Sequence, residues 1–268
     1  MADRAFPFFW IVLPYTAHGQ IYINGDRMIH LEPALSIYFG DASNKFYQKE
    51  YLSWHDNLLH KEPFSPLLRL KIKNLTFLHQ VHGSNGFIIT KKTLDAPFFY
   101  DGDYLITNQL NVGIGVMTAD CVPVICHDKR NNVIGIAHAG WRGAVKGVVI
   151  EMIKAMHQEY GTSLNDMRVF FGPCAKRCCY EVQSDFKQNL EHYSFGSECM
   201  YLIGGAYFFD LPAFLSKQLV SMGLEGDAIR LDYTLCTMCN NRFWSHRKGV
   251  QEGHPERVGR QMTVVSLN

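Results

Sequence analysis

The sequence has almost no charge imbalance: 26 Lys and Arg stand against 25 Asp and Glu, a formal charge of +1. That balance excludes a nucleic-acid binder working through general electrostatics. No run approaches the roughly 18 apolar residues that a membrane-spanning helix needs, so neither nucleic acid nor membrane is an expected partner. There is no Pro/Gly/Ser linker, charge block, internal repeat or low-complexity segment, so residues 1–268 are expected to form a single domain. No G-x-G-x-x-G and no P-loop pattern occurs, so nucleotide binding in those modes is not expected. Eight cysteines in 268 residues are too sparse for a disulfide scaffold and point to a cytoplasmic protein with reduced thiols. The apolar run at residues 6–15 carries Pro7 and Pro14 and lacks a small-x-small cleavage pattern, so it reads as a buried opening strand rather than a signal peptide.

What is present is an apolar fraction of 47%, enough for a sizeable core. Asn24-Gly25-Asp26 predicts a hairpin between strands at 21–23 and 28–31. The spacing of Phe46, Tyr47, Tyr51, Trp54, Leu58 and Leu59 predicts a helix within 44–60. Strands are expected at 75–81, 112–118, 122–126, 133–137, 169–171 and 263–267. The unbroken apolar character of 133–137 fits a strand covered on both faces. One helix face is expected over 143–160, ended by Gly161, a brief helix near Phe186 and Leu190, and a further helix capped by Asp210 and closed by Gly223. The pattern is that of a mixed α/β chain.

Three motifs carry chemistry. His82 lies in His79-Gln80-Val81-His82-Gly83, Cys121 in Thr118-Ala119-Asp120-Cys121-Val122-Pro123, and His138 in Ala137-His138-Ala139-Gly140-Trp141-Arg142-Gly143. Two imidazoles and a thiolate suit Zn²⁺ or copper, and three protein ligands leave a position open for water or substrate. If 78–82 is extended, Gln80 and His82 share one face and His79 and Val81 the other. Gly140 to Gly143 mark a strand–turn–helix junction, where a helix start and Arg142 favour an anion such as phosphate. Cys236-x-x-Cys239 invites a zinc or redox reading, with Cys174 and Cys178 as an imperfect second pair. Arg242, His246, Arg247, Lys248, Arg257 and Arg260 form a basic cluster able to bind a phosphate.

Together the motifs resemble the laccase-domain, or YfiH-like, family. The resemblance runs from Gln80 to the C-terminus through Asp101-Gly102-Asp103, Gly172-Pro173, Cys179-Tyr180-Glu181-Val182, Cys236-Thr237, Phe243-Trp244-Ser245-His246-Arg247 and Gly259-Arg260. It implies an α/β fold of the α+β type, with mixed β-sheets flanked by helices. It also implies metal ligation by His82, Cys121 and His138. The implied activities are adenosine deamination and phosphorolysis of adenosine, inosine, guanosine or methylthioadenosine. The N-terminal third departs from the family pattern. His18-Gly19 leads to Tyr22-Ile23-Asn24-Gly25 instead of a Thr-Arg-x-Gly-Gly-like segment, and Leu35-Ser36-Ile37-Tyr38 replaces a Leu-Asn-Leu-Gly stretch. Ser36 and Lys45 are the substrate or phosphate contacts expected there, although lysine cannot reproduce an arginine's bidentate grip.

For deamination, zinc would activate water toward purine C6, with Asp120 transferring a proton or orienting the nucleophile and His79 as a second candidate. For phosphorolysis, phosphate would attack the ribose C1′ with Arg142 or Arg247 stabilising its charge. A multicopper oxidase needs several copper sites and many histidines, so copper-dependent phenol oxidation ranks last among the enzymes. A cysteine hydrolase using Cys121 and His138 is a metal-free alternative. A metal- or purine-binding protein without turnover is the non-enzymatic one.

Overall fold

The computed structural model describes residues 10–12, 20–24, 27–44, 67, 70, 72–94 and 100–268. Two large mixed sheets and one small sheet carry the chain. The seven-stranded sheet runs Trp10–Val12, Gln20–Asn24, Arg27–Leu31, Leu35–Phe39, Gln261–Leu267, Val112–Thr118, Asn74–Thr76, and its last pair is parallel. The six-stranded sheet runs Ile229–Arg230, Met167–Phe171, Val122–Asp128, Val133–Ala139, Tyr104–Thr107, Gly86–Ile89, antiparallel inside and parallel at both outer pairs. A three-stranded antiparallel sheet joins Glu181–Val182, Ala206–Phe209 and Met200–Ile203.

Alternation along the central strands explains the layering. Ile125, Ile134 and Ile136 face Ile37, Ile114 and Val265 of the seven-stranded sheet. Their neighbours Val124, Cys126 and Ala137 face the opposite way, against Val148, Met152 and Met156 of the Val148–Tyr160 helix and Phe214 and Leu215 of the Leu211–Ser221 helix. Both faces of the two central strands, Val122–Asp128 and Val133–Ala139, are therefore buried, which accounts for the continuous apolar run at 133–137. The far face of the seven-stranded sheet buries Tyr38, Met117 and Val264 under Leu67, Ile72 and Phe77.

Many expected elements are found. The 24–27 pairing closes the hairpin, Val112–Thr118 has the expected bounds, and Asp210 Oδ1 accepts from the Ala213 N–H as a helix cap. Two expectations need correction. The 75–81 strand stops at Thr76, because Gln80 turns its amide onto the Met117 backbone, accepting from its N–H and donating to its C=O, both at 2.8 Å. The helix placed over 143–160 is two helices, Trp141–Val145 and Val148–Tyr160, separated at Gly147 with φ 79°. The brief helix expected near Phe186 and Leu190 is present as a 3₁₀ helix, Ser184–Leu190. The helix expected within 44–60 falls almost wholly outside the described residues, as does Lys45.

Candidate functional site

The end of the six-stranded sheet brings the three motifs together. His138 arrives on the last turn of the Val133–Ala139 strand, and Cys121 sits one residue before Val122–Asp128, the strand paired with it. His82 comes from the loop after the Thr76 strand end. The ligand atoms of the three residues lie within 4.8 Å of one another, and Cys121 Sγ is 3.9 Å from His82 Nε2. Bonds of about 2.0–2.3 Å around one tetrahedral ion put the donors roughly 3.3–3.8 Å apart, so a small inward shift of these side chains fits the set to a single Zn²⁺-sized ion. Burial is graded: His138 is buried, Cys121 half-buried and His82 exposed. The graded burial leaves one side of the set open.

Asp103 organises this geometry. Its carboxylate is buried and lies 2.7 Å from His138 Nδ1, which leaves Nε2 for a ligand role. The same carboxylate accepts the backbone N–H groups of His82 at 3.1 Å and Gly83 at 2.6 Å. Those bonds hold His82 at φ 57°, a left-handed conformation that a histidine adopts only where its surroundings fix it. Asp120 is likewise held at φ 90°, immediately before Cys121. Gly140 lies where a Cβ would come within 2.8 Å of the His82 ring and 3.0 Å of Cys121 Sγ. Burial pushes the Cys121 thiol up, but His138 and His82 beside it prevail and hold it down at about 6. Burial opposes a charge on His138, yet the Cys121 sulfur and the Asp103 carboxylate hold it up at about 9. The Cys121 sulfur, so disposed to lose its proton, is a ready metal ligand.

A cavity of about 600 Å³ opens onto the set. His82, Cys121 and His138 lie at one end, and Arg142, Arg247 and Arg260 also line it. Met117, Trp141, Tyr180 and Leu211 supply apolar wall. Arg142 stacks on Trp141 at 4.4 Å, and Arg247 lies over Tyr180 at 5.3 Å while donating to the Glu181 carbonyl.

The expected site residues divide clearly. His82, Cys121, His138, Asp120, Arg142 and Arg247 share the cavity. His79 does not line it: its ring pairs with Asp101 at 2.7 Å on the surface. Gln80 and His82 do line it, so the expected division of faces holds although the segment is not a strand. Ser36 is buried and donates to Asn268 Oδ1, away from the cavity. The helix after Gly140 is only five residues long, so any anion hold there falls to the Arg142 side chain rather than to a helix dipole. Sequence reasoning assigned no role to Asp103, Tyr180 or Leu211. His246, counted there only as part of a basic cluster, also lines the cavity; partial desolvation and Arg260 lower its pKa. Asp103, Tyr180 and His246 all lie in motifs of the family resemblance, but nothing in one dimension says which side chains meet.

A family model described as multi-copper polyphenol oxidoreductase laccase matches residues 61–268. A purine nucleoside phosphorylase of Borreliella burgdorferi is 30% identical over 66% of this chain and 75% of that one. A purine nucleoside phosphorylase of Clostridium acetobutylicum is 32% identical over 80% of this chain and 86% of its own. In fold, the chain is similar to the crystal structure of Bacillus licheniformis hypothetical protein YfiH. The TM-score is 0.76 at 22% identity, covering 87% of this chain and 93% of that one.

Proposed function

The chain belongs to the multi-copper polyphenol oxidoreductase laccase family, and from that premise we propose that it is a zinc-dependent purine nucleoside enzyme. Its reactions are phosphorolysis of adenosine, inosine, guanosine or methylthioadenosine, and deamination of adenosine. The observation that carries the reading is the meeting of a three-ligand metal set with three arginines and an aromatic wall in one cavity. That is what a site for a purine, a ribose and a phosphate needs. The names of the curated relatives support the same class. Copper fits the donors too, but a multicopper oxidase fits poorly. Among the described residues the other candidate metal group is made of cysteines alone, so the histidine-rich clusters of such an oxidase have no counterpart there.

His82, Cys121 and His138 hold the ion, which would supply Lewis acidity to an oxygen of the substrate or of water. Asp103 fixes the ligating tautomer of His138 and the backbone around His82. Asp120 acts as a positioning residue: its two carboxylate oxygens are taken by the Thr237 hydroxyl and the Arg247 N–H, both at 2.7 Å. It ties the C-terminal wall of the cavity to Cys121 rather than shuttling protons. Arg142 and Arg247 grip phosphate, and Trp141 and Tyr180 offer apolar and aromatic surface to the base. His246, on the cavity wall, is the imidazole outside the metal set that is placed to exchange a proton with substrate.

A second reading has one observation in its favour: Cys121, His138 and Asp103 stand in the order of a nucleophile, base and orienting carboxylate. It leaves His82 without a task.

Metal-analysed protein incubated with adenosine, with and without phosphate, tests the proposal. Inosine, or free base that appears only with phosphate, is expected, and both disappear in Cys121→Ala. Arg142→Ala and Arg247→Ala are expected to weaken phosphate use by roughly 10–100-fold while leaving bound zinc unchanged. Zinc-loaded protein that turns over none of these nucleosides would refute the enzyme, and full activity in metal-stripped protein would favour the cysteine mechanism.

A further inference from the structure

The structure brings four other sulfurs together, about which the catalytic reading says nothing. Cys178 and Cys179 lie in the turn after Gly172-Pro173, and Cys236 and Cys239 bound a second turn; their sulfurs all lie within 4.8 Å of one another. Cys178 Sγ is 3.9 Å from Cys239 Sγ and 3.6 Å from Cys179 Sγ. A disulfide needs about 2.05 Å, whereas four thiolates around one tetrahedral ion with bonds of about 2.3 Å sit roughly 3.8 Å apart. The separations match the second case. Cys236 is buried and receives backbone N–H groups from Met238 and Cys239 within its own turn, and from Lys176 in the opposing one. Amides aimed at a sulfur are the partners that a metal-bound thiolate requires. Four sulfurs this close would repel one another as thiolates and are poorly placed as thiols, and a divalent cation removes both difficulties.

We propose that Cys178, Cys179, Cys236 and Cys239 form a structural zinc site, separate from the His82–Cys121–His138 set. All four positions are filled by protein, so the site is closed and does no chemistry. The spacing expected from sequence is corrected here. Cys174 is not a ligand but lies buried beneath, where its backbone pairs with that of Cys236, and Cys179 takes its place. The site clamps two segments that build the cavity wall. Tyr180 follows Cys179 directly, and Thr237, between the two turn cysteines, donates to Asp120. Zinc there would hold that wall without touching substrate.

The test is a metal count on protein purified and stored reduced. Wild-type protein is expected to retain roughly two zinc ions per chain, and Cys121→Ala roughly one. The double variant Cys178→Ser/Cys239→Ser is expected to keep only the ion of the His82–Cys121–His138 set. Cobalt loaded into Cys121→Ala protein should give the intense sulfur-to-cobalt charge-transfer and tetrahedral d–d bands of a tetrathiolate site; this reading stands even if the double variant does not fold. Cys121→Ala protein that stays folded but holds no zinc and takes up cobalt without those bands would overturn the proposal. So would a disulfide among the four cysteines in the freshly reduced and purified wild-type protein.

Discussion

Asp103 shows how much of the site depends on one side chain that never touches substrate. It is buried, and the site needs it ionised: it must accept from His138 and from the amides of His82 and Gly83 at once. Burial alone would raise its pKa, but the His138 ring and those N–H groups outweigh burial and leave it below the ordinary value. Asp103→Asn keeps the shape but offers one acceptor oxygen where two are used, and loses the charge that orients His138. Zinc affinity at the His82–Cys121–His138 set is expected to fall by about 10–100-fold, read by competition with a chelator, with the circular dichroism spectrum unchanged. Unchanged affinity would mean that the carboxylate only fills space. His82, Cys121 and His138 were legible from sequence because each sits in a distinctive motif. Asp103 was not: it reaches them across the pairing of two strands with a loop, and nothing in the order of residues states that pairing.

At the scale of elements, two glycines only seven residues apart make contrasting demands. Gly140 has φ −73°, a conformation open to any residue, yet its missing Cβ makes room for the His82 ring and the Cys121 sulfur. Gly147 has φ 79°, a Cβ there would meet only Ile150 at an ordinary 3.6 Å, and its task is to break the 141–160 region into two helices. Gly140→Ala is therefore expected to cost the metal site at least about 10-fold in zinc affinity with little change in thermal stability. Gly147→Ala should cost about 1–2 kcal/mol of stability with zinc binding intact. The same change producing the same effect at both positions would contradict this division. The contrast also shows why sequence periodicity misplaced the helix start. The apolar stripe Val145, Val148, Val149, Met152 keeps a helical spacing straight through the break, and the hydrophobic pattern does not register the sign of φ. Periodicity worked best for strands covered on both sides, where composition alone marks them. It failed at 75–81, where a polar side chain, Gln80, replaced backbone pairing.

Across the whole molecule, the two large sheets are held face to face by apolar packing and, at one edge, by the Arg168–Glu32 ion pair at 2.6 Å. His127 lies near that edge, 2% exposed, with neither ring nitrogen hydrogen-bonded to protein. Burial is the main cause that drives its pKa down to about 4; Glu32 resists this, while Lys129 and Arg168 add to it. Above pH about 6.5 the imidazole is neutral in both folded and unfolded chains and has no effect on pH dependence. Between about 6.5 and 4 the unfolded chain binds the proton and the folded chain does not, so stability falls as pH falls. The full loss attributable to this group, reached near pH 4, is about 3 kcal/mol. Urea unfolding followed at several pH values should therefore show an acid slope that His127→Leu flattens. An unaltered slope in that variant would assign the acid sensitivity to other groups and would mean that the folded protein accommodates a charged His127 between its sheets.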